Sequence, residues 1–315
     1  MPSTVATQQP NAKPRMTLAS VTRGKRPSPI RAIVFGLEGV GKSTFAANAP
    51  SPIFLGTEDG TGQLDVARFP APSTFDDILD ALRTLTNDKH DYKTLVVDTL
   101  DWCEPIIWHH CCVRDDQQNI EAYGYGKGYS AALDEWRVFV VALERLRRDK
   151  EMHVLLIAHS WIKTFKNPLG DDFDRYEMKL HNKAAGLLKE WSDAVLFVNY
   201  EELAHKDSKT KRVRGVSTGA RLIHTERTAT YDAKNRYGLP GALPLSWEDF
   251  EAAVKAGTPS SMEDLLAELD RKQALLSDDN KLKLTGLILR AAGDVKRLAQ
   301  ANDWANGKLP QSEEQ

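Results

Sequence analysis

The chain carries almost no net charge: 42 Lys and Arg residues against 44 Asp and Glu leave a formal −2 over 315 residues. No global basic field advertises nucleic acid, so any such site must be a local patch. Cysteine is scarce. Three residues, two of them adjacent, do not make a disulfide framework and fit a reducing compartment. No run of about 18 apolar residues occurs, which argues against a membrane span. The N-terminus is polar and lacks the apolar stretch of a secretory signal, so a cytoplasmic location is expected. No internal repeat is evident.

What the chain does contain is a phosphate-binding pattern. Residues 36–43 read Gly-Leu-Glu-Gly-Val-Gly-Lys-Ser, a full G-x-x-x-x-G-K-[ST] loop. Glycines let successive backbone N–H groups turn toward phosphate oxygens. Lys42 reaches the β- and γ-phosphates, and the Ser43 hydroxyl is a ligand for Mg²⁺. Apolar residues 30–35 read as a strand and residues 44–48 as a helix start, the context that places an anion at a helix N-terminus. Gly36, Leu37, Glu38, Gly39, Val40, Gly41, Lys42, Ser43 and Thr44 are therefore the expected nucleotide contacts.

Three apolar strands end in polar residues suited to the same site. Leu95-Val96-Val97-Asp98 places Asp98 as the second Mg²⁺ ligand. Residues 53–60 run from an apolar strand into Glu58 and Asp59. A carboxylate at the tip of a strand beside the phosphate-loop strand can orient the attacking water; Glu58 is the first choice and Asp59 the alternative. Residues 155–160 end at His159, a candidate sensor of the γ-phosphate. His109-His110-Cys111-Cys112 is a poor metal site, because adjacent residues point around a helix and no second ligand pair has suitable spacing.

Residues 30–200 alternate short apolar runs with helical patterns. That predicts an α/β fold with a mostly parallel twisted sheet flanked by helices. Further strands are expected at 53–57, 94–98, 153–159 and 194–200, with antiparallel edge strands at 212–224 and 228–232. Phe75, Ile78, Leu79, Leu82 and Leu85 have helical spacing, as do Leu133, Trp136, Val140, Leu143 and Leu146. Residues 1–28 read as a flexible basic arm, 29–245 as the core, and 246–315 as a helical appendage. That appendage has a capping box at Ser260 and Glu263 and a helix over 282–299. Two loops are expected near 123–129 and after His159. Tyr125, Lys127, Trp161, Lys163, Phe165 and Lys166 join aromatic faces to cations, the chemistry that binds single strands. Asp171, Asp172 and Asp174 argue against a uniformly basic surface there.

Three separated blocks carry a resemblance: GLEGVGKSTFA with FLGTEDGT after it; TLVVDT followed by VLLIAHS; and RTATYDAKNRYGLP at 227–240. Together they resemble phage RecA-like ATPases of the single-strand annealing, minimal RecA-core type, members of the wider AAA group. More distantly they resemble RecA recombinases and DnaB-type helicases. The likeness spans about residues 16–245. It implies a RecA-like core, ATP with Mg²⁺, DNA-stimulated hydrolysis, single-stranded DNA as partner and an oligomer, in phage recombination or replication in a bacterial host. A single-strand-binding protein is a further implied partner. It also implies that Lys234 and Arg236 form a K-x-R element reaching the γ-phosphate held by a neighbouring subunit. Glu58 would be the catalytic carboxylate, and segments 115–130 and 160–185 the DNA loops. A hexameric DnaB-like translocase shares Lys234 and Arg236. A P-loop kinase would instead need arginines in cis, and the intact Lys42, Ser43, Asp98 and Glu58 speak against a non-hydrolysing clamp.

Overall fold

A computed structural model describes residues 17–21, 28–58, 60–168, 170–206, 213–257, 262–291, 295–306 and 308. Its strands are β1 (Arg31–Gly36), β2 (Pro52–Gly56), β3 (Ala67–Arg68), β4 (Thr94–Asp98), β5 (His153–Phe165), β6 (Phe173–Met178), β7 (Ala194–Lys206), β8 (Val213–His224), β9 (Lys234–Asn235) and β10 (Ala242–Pro244). Its helices are α1 (Lys42–Ala47), α2 (Phe75–Asn87), α3 (Leu100–Arg114), α4 (Lys127–Lys150), α5 (Asn182–Trp191), α6 (Trp247–Gly257), α7 (Met262–Leu275), α8 (Asp278–Ala291) and α9 (Val295–Asn306).

The continuous apolar runs form the middle of one sheet, because strands buried on both faces need apolar residues at every position. Strand order is β10-β8-β7-β1-β5-β4-β2-β3, with β6 on β5 and β9 on β7. The stretch from β7 to β3 is parallel; β8 and β10 add antiparallel strands at one side. Alternate residues serve opposite layers. Ile33 and Phe35 face α2, α3, α4 and α5, while Ala32 and Val34 pack on the layer holding Phe45, Trp247 and Phe250 of α1 and α6. This is the expected α/β class.

Several local expectations change. Strand β2 is not beside β1, since β5 and β4 lie between them. Strand β8 is not an edge, because β10 pairs with residues 222–224. Residues 228–232 form a turn: Thr230 N–H donates to the Thr228 hydroxyl and Thr228 N–H to the Tyr231 carbonyl, which competes with a ladder. Tyr231 makes only an isolated parallel bridge to Tyr176, and the antiparallel pairing comes later, at β9. The helix expected over 282–299 is described as two helices, α8 and α9, and residues 292–294 lie outside the described residues. Helix α6 packs on the core through Trp247 and Phe250, whereas α7, α8 and α9 share a small core of their own. The capping box at Ser260 lies outside the described residues.

The two expected loops are also more ordered than their composition suggests. Residues 120–123 make a 3-10 turn and Lys127 already opens α4. Gly128 answers a close approach rather than a need for flexibility: a Cβ there would sit 2.2 Å from the Ile120 carbonyl oxygen. After His159 the chain stays in β5 and returns as β6, an antiparallel hairpin with Ser160 opposite Met178 and Phe165 opposite Phe173.

Candidate functional site

The parallel register brings four strand tips to one edge. Gly36 aligns with His159, Asp98 with Ile157, and Gly56 with Asp98. Gly39, Gly41, Lys42, Ser43, Thr44, Glu58, Asp98 and His159 thereby line one cavity of about 340 Å³. Leu37, Glu38 and Val40 complete the loop beside it. Gly41 takes φ 105°, a left-handed conformation that favours glycine, and caps α1. Asp59, the alternative to Glu58, lies outside the described residues.

Inside this cavity the charges are buried and close together. Lys42 is 5% exposed and its ammonium donates to the Gly36 and Leu37 carbonyls at 3.1 and 2.7 Å. Burial lowers its pKa, against the pull of Asp98. Asp98 is 1% exposed, and among the described residues neither of its carboxylate oxygens has a partner in good hydrogen-bond geometry, although the Ser43 hydroxyl lies close enough to act on it. Burial raises the Asp98 carboxyl, opposed by the Ser43 hydroxyl and the Lys42 charge. A carboxylate left unpartnered in a buried site is costly unless a cation completes it. Asp98 and Ser43 offer oxygen donors, the kind that suits Mg²⁺.

Glu58 is half-buried. Burial raises its carboxyl, with His159 opposing and Asp98 and Asp101 adding to the rise. A raised carboxyl is a better acceptor for a proton from water. His159 is clamped by Asp101, whose Oδ1 accepts the His159 backbone N–H at 2.9 Å and whose Oδ2 meets Nδ1 at 2.9 Å. That hydrogen bond raises the His159 pKa despite burial. For Asp101, burial would raise the carboxyl, but the His159 contacts outweigh it and hold it low. Thr57 ties the β2 tip to Asp98 and Thr99: its N–H donates to the Asp98 carbonyl at 2.8 Å and its hydroxyl to the Thr99 carbonyl at 2.6 Å.

Lys234 and Arg236 are not near this edge of their own chain. Lys234 aligns with Val195, and Ala194 aligns with Ala32 near the start of β1, the opposite end from the phosphate loop. The Lys234 ammonium donates to the carbonyls of Lys189, Glu190 and Ser192 at 2.6, 3.1 and 2.6 Å. All three of its donors thus cap the end of α5 within this chain. Arg236 is different: its side chain is 56% exposed and meets Asp193 at 3.3 Å.

The single-strand candidates also sort themselves. Tyr125 is fully exposed, Lys127 is exposed at the start of α4, and Trp161 is 43% exposed with Lys163 Nζ 5.7 Å from its ring centroid. Phe165 has its face covered by Arg175 at 4.5 Å and packs against Phe173 at 5.2 Å. Lys166 is paired with Asp172. Cys111 and Cys112 are buried, and His110 packs edge-on against Phe75.

The family model of an AAA domain matches residues 28–237. The chain belongs to the AAA domain family. The match covers the phosphate loop, Asp98, His159 and Arg236 of this AAA domain. No curated protein matches the chain. Among solved structures, RadB recombinase is similar at 14% identity, over 66% of this chain and 91% of that one, with a TM-score of 0.35. Membership of the AAA domain family implies nucleotide binding, and a second cavity of about 410 Å³ adjoins the phosphate loop. Thr44, Asn48, Arg221, Leu245, Trp247 and Glu248 are among the residues around it. The Arg221 guanidinium lies 3.4 Å from the Val40 carbonyl and 2.7 Å from where a Gly41 Cβ would be. Sequence reasoning missed Arg221, for which no local signal exists. Asp101 did leave one: an acid in the first turn of the helix that follows Asp98.

Proposed function

We propose that this protein is an ATP-dependent, single-stranded-DNA-binding recombinase or annealing protein that works as an oligomer in phage recombination or replication. The observation that carries the nucleotide half is the orphaned, buried Asp98 carboxylate facing Lys42, Ser43, Glu58 and His159 in one cavity. Lys42 and the loop backbone hold the phosphates. Ser43 and Asp98 hold Mg²⁺, which when bound draws charge from the phosphate oxygens. The nucleoside end takes the adjoining cavity beside Arg221 and Trp247.

Glu58 orients water for attack on the γ-phosphate and accepts its proton; hydrolysis breaks the terminal P–O bond. His159 contacts the γ-phosphate side of the cavity. Lys234 serves as an internal cap, and Arg236, exposed and far from its own phosphate loop, is the cation a neighbouring subunit receives. Trp161 and Lys163 on the hairpin, with Tyr125 and Lys127 at the start of α4, meet the strand by stacking and by phosphate contact. A single-strand-binding protein is a further partner, and the bacterial host cytoplasm is the place of action.

Measuring ATP turnover with and without single-stranded DNA tests this reading. DNA-stimulated hydrolysis, lost in Lys42→Ala together with about 10- to 100-fold in nucleotide affinity, is expected from loss of one charge-assisted phosphate contact. Turnover that ignores DNA, or full activity from a dilute monomer, would favour a kinase instead.

A further inference from the structure

The β5–β6 hairpin is gripped at both of its roots by one helix. At the outgoing root, Asp101 takes the His159 backbone N–H and meets the His159 ring, each at 2.9 Å. At the returning root, both carboxylate oxygens of Glu104 accept the His181 backbone N–H at 3.1 Å. The roots are joined to each other by Lys179 N–H donating to the His159 carbonyl at 2.9 Å. Residues 160–178, which carry Trp161 and Lys163, lie between. Asp101 and Glu104 are one turn apart on α3, and α3 starts two residues after Asp98.

The geometry has a simple cause. Strand β4 ends at Asp98, opposite Ile157, while β5 runs on to Phe165. Past Ile157 the first turn of α3 supplies the acceptor for the His159 N–H, and β6 takes up the pairing with β5 from Ser160. Both grips are unusual in their chemistry. Asp101 has a side chain 4% exposed and Glu104 is 5% exposed. Burying a carboxylate to hold a backbone N–H is costly where a neutral carbonyl would serve. The same region ties in the other candidate segment: the His181 ring stacks on Tyr129 of α4 at 4.0 Å and 5°.

We infer that Asp101 and Glu104 are positioning residues that couple the nucleotide site to the β5–β6 hairpin, through the first turn of α3, ahead of Pro105, acting as a lever. The inference rests on the nucleotide reading above. A ligand that draws on Asp98 and His159 moves the start of α3 and one root directly, and Glu104 carries the same displacement to the other root. Neither carboxylate touches the nucleotide.

Hydrogen exchange on the full-length protein, with and without adenylyl imidodiphosphate and Mg²⁺, tests it. In the wild type the nucleotide should slow exchange at residues 36–44 and also change it at 160–180, by at least about fivefold. Asp101→Leu and Glu104→Met keep side-chain bulk and remove the acceptors of the His159 and His181 N–H groups. They should retain the response at 36–44 and lose it at 160–180, with exchange in β1 and β4 unaltered. A merely structural role would raise exchange at 160–180 by the same factor in both states, so that the nucleotide response persists, and that result overturns the inference. So does a wild-type response at 160–180 in both variants, or protection in the wild type at 36–44 with no change at 160–180. No protection at 36–44 in the wild type would overturn the nucleotide reading, and this inference with it. If one variant does not fold, the other decides, because release of either root breaks the lever.

Discussion

Asp101 and His159 show how two side chains set each other's charge. The hydrogen bond from Asp101 raises the His159 pKa, and the contacts with His159 lower that of Asp101 against burial. The signs follow by linkage. His159 has a raised folded-state pKa, so its stabilisation is full below the ordinary imidazole range and is lost as pH rises through the raised value. Asp101 is depressed, so its share is present above the ordinary carboxylate range and is lost as pH falls through the lowered value. The pair stabilises most between those limits. Asp101→Asn should therefore move the His159 titration to lower pH, observable by NMR; an unmoved titration means the contact is not formed. Glu104 runs the other way. Burial pushes its carboxyl up to about 7, so between the ordinary value of 4.5 and about 7 the folded state binds more protons than the unfolded one. Stability then falls as pH rises, by about 3 kcal/mol from this group at 1.36 kcal/mol per pKa unit. Urea midpoints at pH 5 and pH 8 should show that fall in the wild type and about 3 kcal/mol less of it in Glu104→Gln.

At the scale of elements, the hairpin and the start of α4 matter most. Their aromatic and basic residues look equivalent in a sequence, yet Tyr125, Lys127 and Trp161 are exposed, Lys163 is tied to Asn182 at 2.7 Å, and Phe165 lies under Arg175. Replacing Lys127, Lys163 and Lys166 together with alanine should weaken single-strand binding and flatten its salt dependence. Three lost phosphate contacts change the log–log slope by about 2. Lys166 is already paired with Asp172, so a change nearer two contacts is the lower bound. Titrations of a fluorescent oligonucleotide across a salt series measure this, and an unchanged slope would place the strand elsewhere.

At the scale of the whole molecule, the proposed function makes assembly the deciding variable, because Arg236 lies far from its own phosphate loop. Arg236→Ala should leave nucleotide binding intact and lower hydrolysis by about 10³-fold, as loss of an arginine supplied in trans does. Mixing Arg236→Ala with Lys42→Ala subunits should then restore activity. About a quarter of randomly formed interfaces would join an intact loop to an intact arginine. No recovery in the mixture would mean that Arg236 does not act across an interface.

Much of this was readable before any coordinates. The loop at 36–43, the apolar runs ending in Asp98 and His159, and the helical spacing from Phe75 to Leu85 depend on residue type and period within a few positions. Such patterns survive in one dimension. The rest depends on contacts between distant residues. Asp101 meets His159 across 58 positions, and Lys234 spends its ammonium on carbonyls 42 to 45 positions away. Strand order placed β5 and β4 between β1 and β2, which no local pattern reports. Composition suggested flexible glycine loops where Gly128 in fact packs against Ile120, because a missing Cβ serves close approach as well as freedom. Residue chemistry named the nucleotide site; register and packing decided which charges remain free to act from it.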